Sequence, residues 1–564
     1  MTRARADLRP IHLVPCGPFA DVASLGTILV CAALGCATTK SGAPGPASNA
    51  PAIEVRYEPA DKTMPTGARA PAVAAATAGE LPTYWKDRTD LYQAPPPPVP
   101  AELRLPKVDR WQLKNGLEVV VVARHDLPVA SFSIAVKAGG YDEEKGKTLG
   151  VADFTASMLR KGTRSRSADQ ISGAIDFVGG QLETQASAES SVAGCSSLSK
   201  DTRLCVDLLS DILLRPSFPE AEMAEVRDQV MASLAARYDN PHELASEHFD
   251  NLLFGEKNPD GWVLMPEDVQ KITRADLVTF WKTFYRPNNA ILAVAGDVDP
   301  ARLRVELDKA FGAWEKAAVP ARVEPKVPVV TSTRILLVDR PDLTQSTLVF
   351  GHPGIKHVDP AWYAVTLVNY VLGGSDFSSR LMTEVRSRRG LTYGIGSSFG
   401  APLYQGAFRV SASTKNSSVW DALLAAVGEL RKMKADGPSA GEIAKAKGYY
   451  AGSYPFKLQG AGEIAGSIVA AELHGLDVAY VKELPVRLSA VGPPEAKEAA
   501  RKWLEPDALW VVIVGRASDI EPQLAKTGLP YERIDFKAPI SYAARARLRR
   551  QQEKEAHPVL APPK

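Results

Sequence analysis

Neither sign of charge dominates this sequence: 67 basic against 65 acidic residues leave a formal net charge of +2 over 564 residues. A phosphate backbone meets no global attracting field, so no nucleic-acid partner is expected. Histidine is scarce, with eight in all. His242 and His248 lie six positions apart, about 120° round a helix, too divergent to share a metal. His12, His125, His352, His357, His474 and His557 form no ligand-spaced group. The five cysteines (Cys16, Cys31, Cys36, Cys195 and Cys205) include no C-x-x-C pair, which argues against a zinc ribbon or a thioredoxin-like redox site. Cys195 and Cys205 read as two buried thiols rather than as a bridge. No G-x-S-x-G nucleophile motif sits in a strand–turn–helix setting. The glycine-rich stretch Gly460-Ala-Gly462-(x)3-Gly466 lacks the preceding strand of a nucleotide site and reads instead as a flexible loop near a substrate cleft.

What is present begins at the N-terminus. Arg3, Arg5 and Arg9 precede an apolar run from Val22 to Gly35, short for a membrane span but suited to the core of an export signal. The run ends Ala33-Leu34-Gly35-Cys36, which resembles a bacterial lipobox with Cys36 as the lipidated residue. Residues 1–36 are therefore expected to be a signal peptide that directs the chain to the periplasm or outer membrane of a diderm bacterium, with a lipid anchor as its membrane contact. Residues 37–105, rich in Ala, Pro, Gly, Ser and Thr and containing Pro95-Pro96-Pro97-Pro98, cannot bury a core and read as a disordered tether. Residues 541–564, with Arg545, Arg547, Arg549 and Arg550, read as a basic helical tail with a solvated face.

Between these ends the pattern predicts two α+β lobes, 106–315 and 331–540, joined by a linker at 316–330. The first opens with Asn115-Gly116 between apolar runs, a strong hairpin signal. An alternating strand follows at 129–137, then helices at 149–160, 167–178 (with a Ser167/Gln170 capping box), 202–214 and 219–238, and a buried strand from Ala290. The second repeats the order: strands at 334–338 and 345–351, helices at 360–372 and 377–388, a strand at 406–413, a helix at 419–434 and a closing strand at 509–514. Pro287 and Pro506 are separated by the same distance as Gly296 and Gly515, which argues for two copies of one unit.

The segment Gly150-Val-Ala-Asp153-Phe-Thr-Ala156-Ser157-Met-Leu-Arg-Lys-Gly162-Thr163 closely resembles the helix that carries H-x-x-E-H in pitrilysin/insulinase-type zinc peptidases. The segment Gly373-Gly374 to Ser378-Ser379-Arg380-Leu381, continuing Glu384-Val-Arg386-Ser-Arg-Arg-Gly390-Leu-Thr-Tyr393, resembles that family's C-terminal signature. The resemblance covers roughly 106–540 and implies a clamshell of two homologous lobes. It also places Asp153 and Ser157 where the family has histidine ligands, Ala156 where it has the general base, and Ser233 where it has the third ligand. These four are degenerate metal-site positions. Zinc hydrolysis needs three protein ligands, an open position and a base, so this chain is expected to bind no metal and to be inactive in isolation. Arg386 and Tyr393 match the family's substrate-side pair. The resemblance thus implies a non-catalytic, substrate-binding subunit of a heterodimer, handling peptide substrates beside a homologous H-x-x-E-H partner that holds the zinc. The alternative is a structural or peptide-binding scaffold lipoprotein with no role in proteolysis.

Overall fold

The structure is a computed structural model and describes residues 107–546. The expected signal with Cys36, the 37–105 tether and Arg547, Arg549 and Arg550 of the tail lie outside the described residues.

Two six-stranded sheets organise the chain. The front sheet contains β1 (Val108–Gln112), β2 (Glu118–Ala123), β3 (Val129–Val136), β4 (Gln181–Ala186), β5 (Ser191–Leu198) and β6 (Ala290–Gly296), in the order β1-β2-β6-β3-β5-β4. The back sheet contains β7 (Arg334–Asp339), β8 (Gln345–Pro353), β9 (Thr392–Phe399), β10 (Ala407–Lys415), β11 (Trp510–Gly515) and β12 (Tyr531–Asp535), in the order β12-β7-β11-β8-β10-β9. β2–β6, β7–β11 and β7–β12 are parallel, and the remaining pairs are antiparallel. β6 and β11 hold the same place in their sheets, and each ends on the glycine of the sequence repeat. The hairpin turns through Gly116 at φ +95°, with Asn115 Nδ2 donating to the carbonyls of Phe311 and Trp314.

The unbroken apolar runs of β2 and β11 follow from burial on both faces, which removes any need for alternation. Val119 and Val121 face the helices of their own lobe, whereas Val120 and Val122 face residues of the back half of the chain. In β11, Val511 and Ile513 face one core and Val512 and Val514 the other. The second cover is exchanged between lobes. Helix Pro241–Phe254, from the front half, packs Leu244, Ala245, Phe249 and Leu253 onto β7, β8 and β11. Helix Ala461–Leu473, from the back half, packs Ile464, Ala465 and Ile468 onto β2, β3 and β6. Polar contacts reinforce the exchange: Arg409 of β10 pairs with Asp250 and stacks 5.2 Å over Phe249. The linker adds a strap, where Arg322 Nη2 lies 2.5 Å from Asp142 and 2.7 Å from the Glu189 carbonyl. Glu189 also meets His474 of the back lobe at 2.9 Å.

Four expectations are corrected. Cys195 of β5 and Cys205 of helix Thr202–Leu214 form a disulfide, because packing of that helix on its strand brings their Cα atoms to 5.6 Å, within bridging range. The Gly460–Gly466 stretch is no loop: Gly460 caps helix Ala461–Leu473, and a Cβ on Gly462 would lie 3.6 Å from Ser131 Oγ, so small residues let the helix lie close on β3. Arg545 is buried rather than solvated; Nη1 donates to the carbonyls of Pro539 and Ile540. The helix expected at 377–388 does end at Arg388 but starts at Arg380, is π-helical over Met382–Arg388, and leaves Phe377 in the turn before it.

Candidate functional site

In the front lobe, Gly150 at φ +91° turns the chain into helix Val151–Met158. The buried start of this helix is capped by Glu143, whose two carboxylate oxygens accept from the backbone N–H groups of Gly150 and Ala152 at 2.9 and 2.8 Å. Burial outweighs these bonds, and with the nearby charges of Asp153 and Asp142 it pushes Glu143 up to about 7. Asp153 and Ser157, one helical turn apart, share a face. Asp153 is exposed to solvent, but the protein around it partly desolvates the carboxylate and pushes it up to about 6. Among the described residues Asp153 has no hydrogen-bond or ion-pair partner. Ala156 points into the core. Ser233 is exposed in the last turn of helix Glu220–Ala236, which packs beside Val151–Met158 with Arg227 5.8 Å over the Phe154 ring. The structure therefore brings the two helices of the four expected positions together. Among the described residues no three His, Cys, Asp or Glu side chains gather into a metal-holding group.

His242 and His248 belong elsewhere. His248 is wholly buried in the exchanged helix, where desolvation and the charge of Arg545 hold it down to about 3. A cavity of about 290 Å³ lined by Lys137, Asp142, Glu189, Arg322 and Tyr404 sits at the linker strap and includes none of the expected site residues.

The back-lobe pair is built differently. Helix Trp362–Asn369 widens into a π-helical turn at Tyr370–Gly374, and a second π-helical turn, Met382–Arg388, carries Arg386 near its end. Such turns insert a residue without breaking the helix and concentrate at functional sites. Gly390 at φ +63° then reverses the chain into β9, with Gly390 N–H donating to the Arg386 carbonyl and Leu391 N–H to Val385. Tyr393 is the extra residue of a β-bulge. Thr392 pairs with Thr414 and Gly394 with Ser413, which leaves Tyr393 without an opposite number. The Thr392 hydroxyl holds the bulge: it lies 2.7 and 2.6 Å from the Gly394 and Ser413 carbonyls, its one proton serving either, and it accepts from the Gly394 N–H at 3.0 Å. Bulges re-aim side chains next to active sites, and Tyr393 is 77% exposed on an edge strand. Among the described residues neither the Arg386 guanidinium nor the Tyr393 hydroxyl has a hydrogen-bonding partner.

Residues not expected from sequence include Glu143, Thr392 and Phe377. Thr392-x-Gly394 is the only one with a local signal, a hydroxyl and a glycine flanking the displaced residue.

Comparison with known proteins places this geometry. Residues 118–267 match the family described as insulinase (peptidase family M16), and residues 271–450 match the peptidase M16 inactive domain. An uncharacterized zinc protease of Streptomyces coelicolor is 29% identical over 401 residues, covering 70% of this chain and 86% of that protein. One from Mycobacterium tuberculosis is 31% identical over 373 residues, covering 64% of this chain and 82% of that protein. This chain belongs to the peptidase M16 family. The crystal structure of a peptidase M16 inactive domain from Pseudomonas fluorescens superposes with a TM-score of 0.68 at 26% identity, covering 73% of this chain and 98% of that one. A protease from Helicobacter pylori shares the M16 fold at a TM-score of 0.67 and 20% identity, covering 73% and 100%. The inactive-domain match spans both Arg386 and Tyr393.

The donor set of this M16 chain does not fit zinc. Of Asp153, Ala156, Ser157 and Ser233, only Asp153 offers a good ligand atom, a serine hydroxyl binds zinc weakly without ionising, and a buried methyl stands where a base would act.

Proposed function

We propose that this chain is the non-catalytic, substrate-binding subunit of a heterodimeric peptidase, and that it completes the site of an H-x-x-E-H partner with Arg386 and Tyr393. The partner would supply the zinc, and the site would be completed across the interface between the two chains. Within this chain the exchanged helices tie the lobes together. The match to the M16 inactive domain and the zinc-protease names of the relatives support this assignment.

One observation carries the reading. In a chain whose metal positions keep only Asp153 as a good donor, half-buried Arg386 on a π-helical turn and exposed Tyr393 on a bulge make no side-chain hydrogen bond among the described residues. Guanidinium is a fixed fork of donors suited to a peptide carbonyl or carboxylate. A phenol that loses no internal bond can donate to a carbonyl oxygen as negative charge develops on it. The protein would act by binding, orienting and stabilising, while the partner carries out the proton transfers. The disulfide agrees with export to an oxidising compartment, with Cys36 lipidated and the 37–105 tether holding the lobes off the membrane.

The test is reconstitution with the co-purifying M16 partner and a fluorogenic peptide. Arg386→Ala and Tyr393→Phe are each expected to lower kcat/KM by about 10²-fold or more, the usual cost of one oriented transition-state donor, with assembly unchanged by size-exclusion chromatography. Full activity in both variants refutes the divided site.

A further inference from the structure

Arg386 differs from its neighbours in what holds it. Arg388 and Arg389 are both drawn to Glu384, at 3.2 and 2.8 Å, and Arg380 makes a two-pronged pair with Glu442 at 2.7 Å. Among the described residues Arg386 has only a ring: its guanidinium carbon lies 4.7 Å from the centroid of Phe377. That phenylalanine is 69% exposed, so its place is not explained by burial. A side chain as flexible as arginine loses considerable rotamer freedom when fixed, and an aromatic face fixes it while leaving its N–H donors unused.

The loop that presents Phe377 is itself held. A Cβ on Gly373 would meet Ser397 Oγ and N at 2.5 and 2.6 Å, so only glycine lets the loop lie directly on β9. Asn369 and Ser397 lock the same contact, with Ser397 Oγ donating to Asn369 Oδ1 at 2.8 Å and Asn369 Nδ2 to the Ser397 carbonyl at 3.1 Å. Ser375 N–H bonds back to Tyr370, and Ser379 N–H to Ser375. The loop bearing Phe377 is therefore fastened to the strand bearing Tyr393.

We propose that Phe377 is the positioning residue of the substrate site: it holds the Arg386 guanidinium in its reach towards peptide, and the rest of its exposed ring receives an apolar substrate side chain beside that contact. The inference rests on the divided-site reading and deepens it, by naming peptides with an apolar residue next to the gripped backbone as the preferred class.

The experiment uses the full chain with its M16 partner and quenched-fluorescent peptides identical except for Leu, Ala or Asp at one position beside the cleaved bond. Phe377→Ala and Phe377→Leu are expected to raise KM for the Leu peptide about two- to fivefold, the range of a solvent-exposed cation–π contact, with kcat little changed. Phe377→Tyr and Phe377→Trp are expected to keep the parental KM. In an Arg386→Ala background the loss is expected to vanish for the Ala and Asp peptides and to shrink for the Leu peptide to what the ring itself contributes, and Phe377→Ala is expected to narrow the preference for Leu over Ala. Because Phe377 is exposed, the variants should melt with the parent. A Phe377→Leu variant that matches the parent overturns the proposal, as do losses at 377 and 386 that simply multiply. If Arg386→Ala is crippled while every Phe377 variant is normal, this inference falls and the divided site stands. If Arg386→Ala is itself fully active, both fall.

Discussion

Arginines crowd the segment from Arg380 to Arg389, and their partners divide the labour among them. Arg380 ties its segment to helix Ala440–Ser453 through Glu442, whereas Arg388 and Arg389 close on Glu384 within their own segment, so replacing any of the three should be felt in stability rather than in catalysis. Asp153 presents the opposite case, a carboxylate without a counter-charge among the described residues. Its folded-state pKa of about 6 lies above the ordinary value near 3.9, so the folded protein holds this proton more tightly than the unfolded chain. The resulting stabilisation is complete below about pH 4 and lost once pH has risen past about 6. Asp153→Asn should therefore stabilise the protein at pH 7.5 and have almost no effect at pH 4. Water reaches the residue, which keeps the gain to the order of 1 kcal/mol. Urea titrations at the two pH values check both sign and window.

At the scale of elements, β5 and helix Thr202–Leu214 are tied by a bridge closing a short loop. Replacing both Cys195 and Cys205 by serine should lower stability by about 2–3 kcal/mol, and reductant should produce a comparable loss in the parent, both read by denaturant unfolding. The exchanged helices give a second expectation. Phe249 and Ile468 are fully buried, each against the other lobe's sheet. Phe249→Ala should cost about 3–5 kcal/mol and Ile468→Ala about 2–5 kcal/mol, as large as losses inside a single lobe, in the same titration. Strong local patterns made much of this architecture legible. Asn115-Gly116 gave the first hairpin, and the apolar runs at Leu117–Val122 and Leu509–Val514 gave buried strands. β4 and β5 are not legible in the sequence, because Gln181–Ala186 is mostly polar and Ser191–Leu198 is rich in small residues whose burial comes from the sheet rather than from their own hydrophobicity. The disulfide was missed because strand–helix distance is a tertiary fact. In the site, motif spacing located Arg386, Tyr393 and the degenerate positions. It could not show the bulge that displaces Tyr393, the π-helical turn under Arg386, or the ring of Phe377, since each depends on register or packing.

For the whole molecule, the exchange makes the lobes mutually dependent. Each sheet would expose one apolar face if its borrowed helix were withdrawn. Residues 107–315 made alone should therefore aggregate or bind a hydrophobic dye, whereas 107–546 should unfold in a single transition that fluorescence and circular dichroism report at the same denaturant concentration. Two separate transitions would contradict this interdependence. The same feature sets a timetable for biogenesis. The last front-sheet strand is complete at Gly296, but its cover ends only at Leu473. At ordinary elongation rates of about 5–20 residues per second, the nascent chain spends roughly 9 to 35 seconds with that apolar face bare. A ribosome-bound or translocating intermediate of this length should lean on chaperones, and slow codons placed just before the covering helix should lower the yield more than the same codons placed after it.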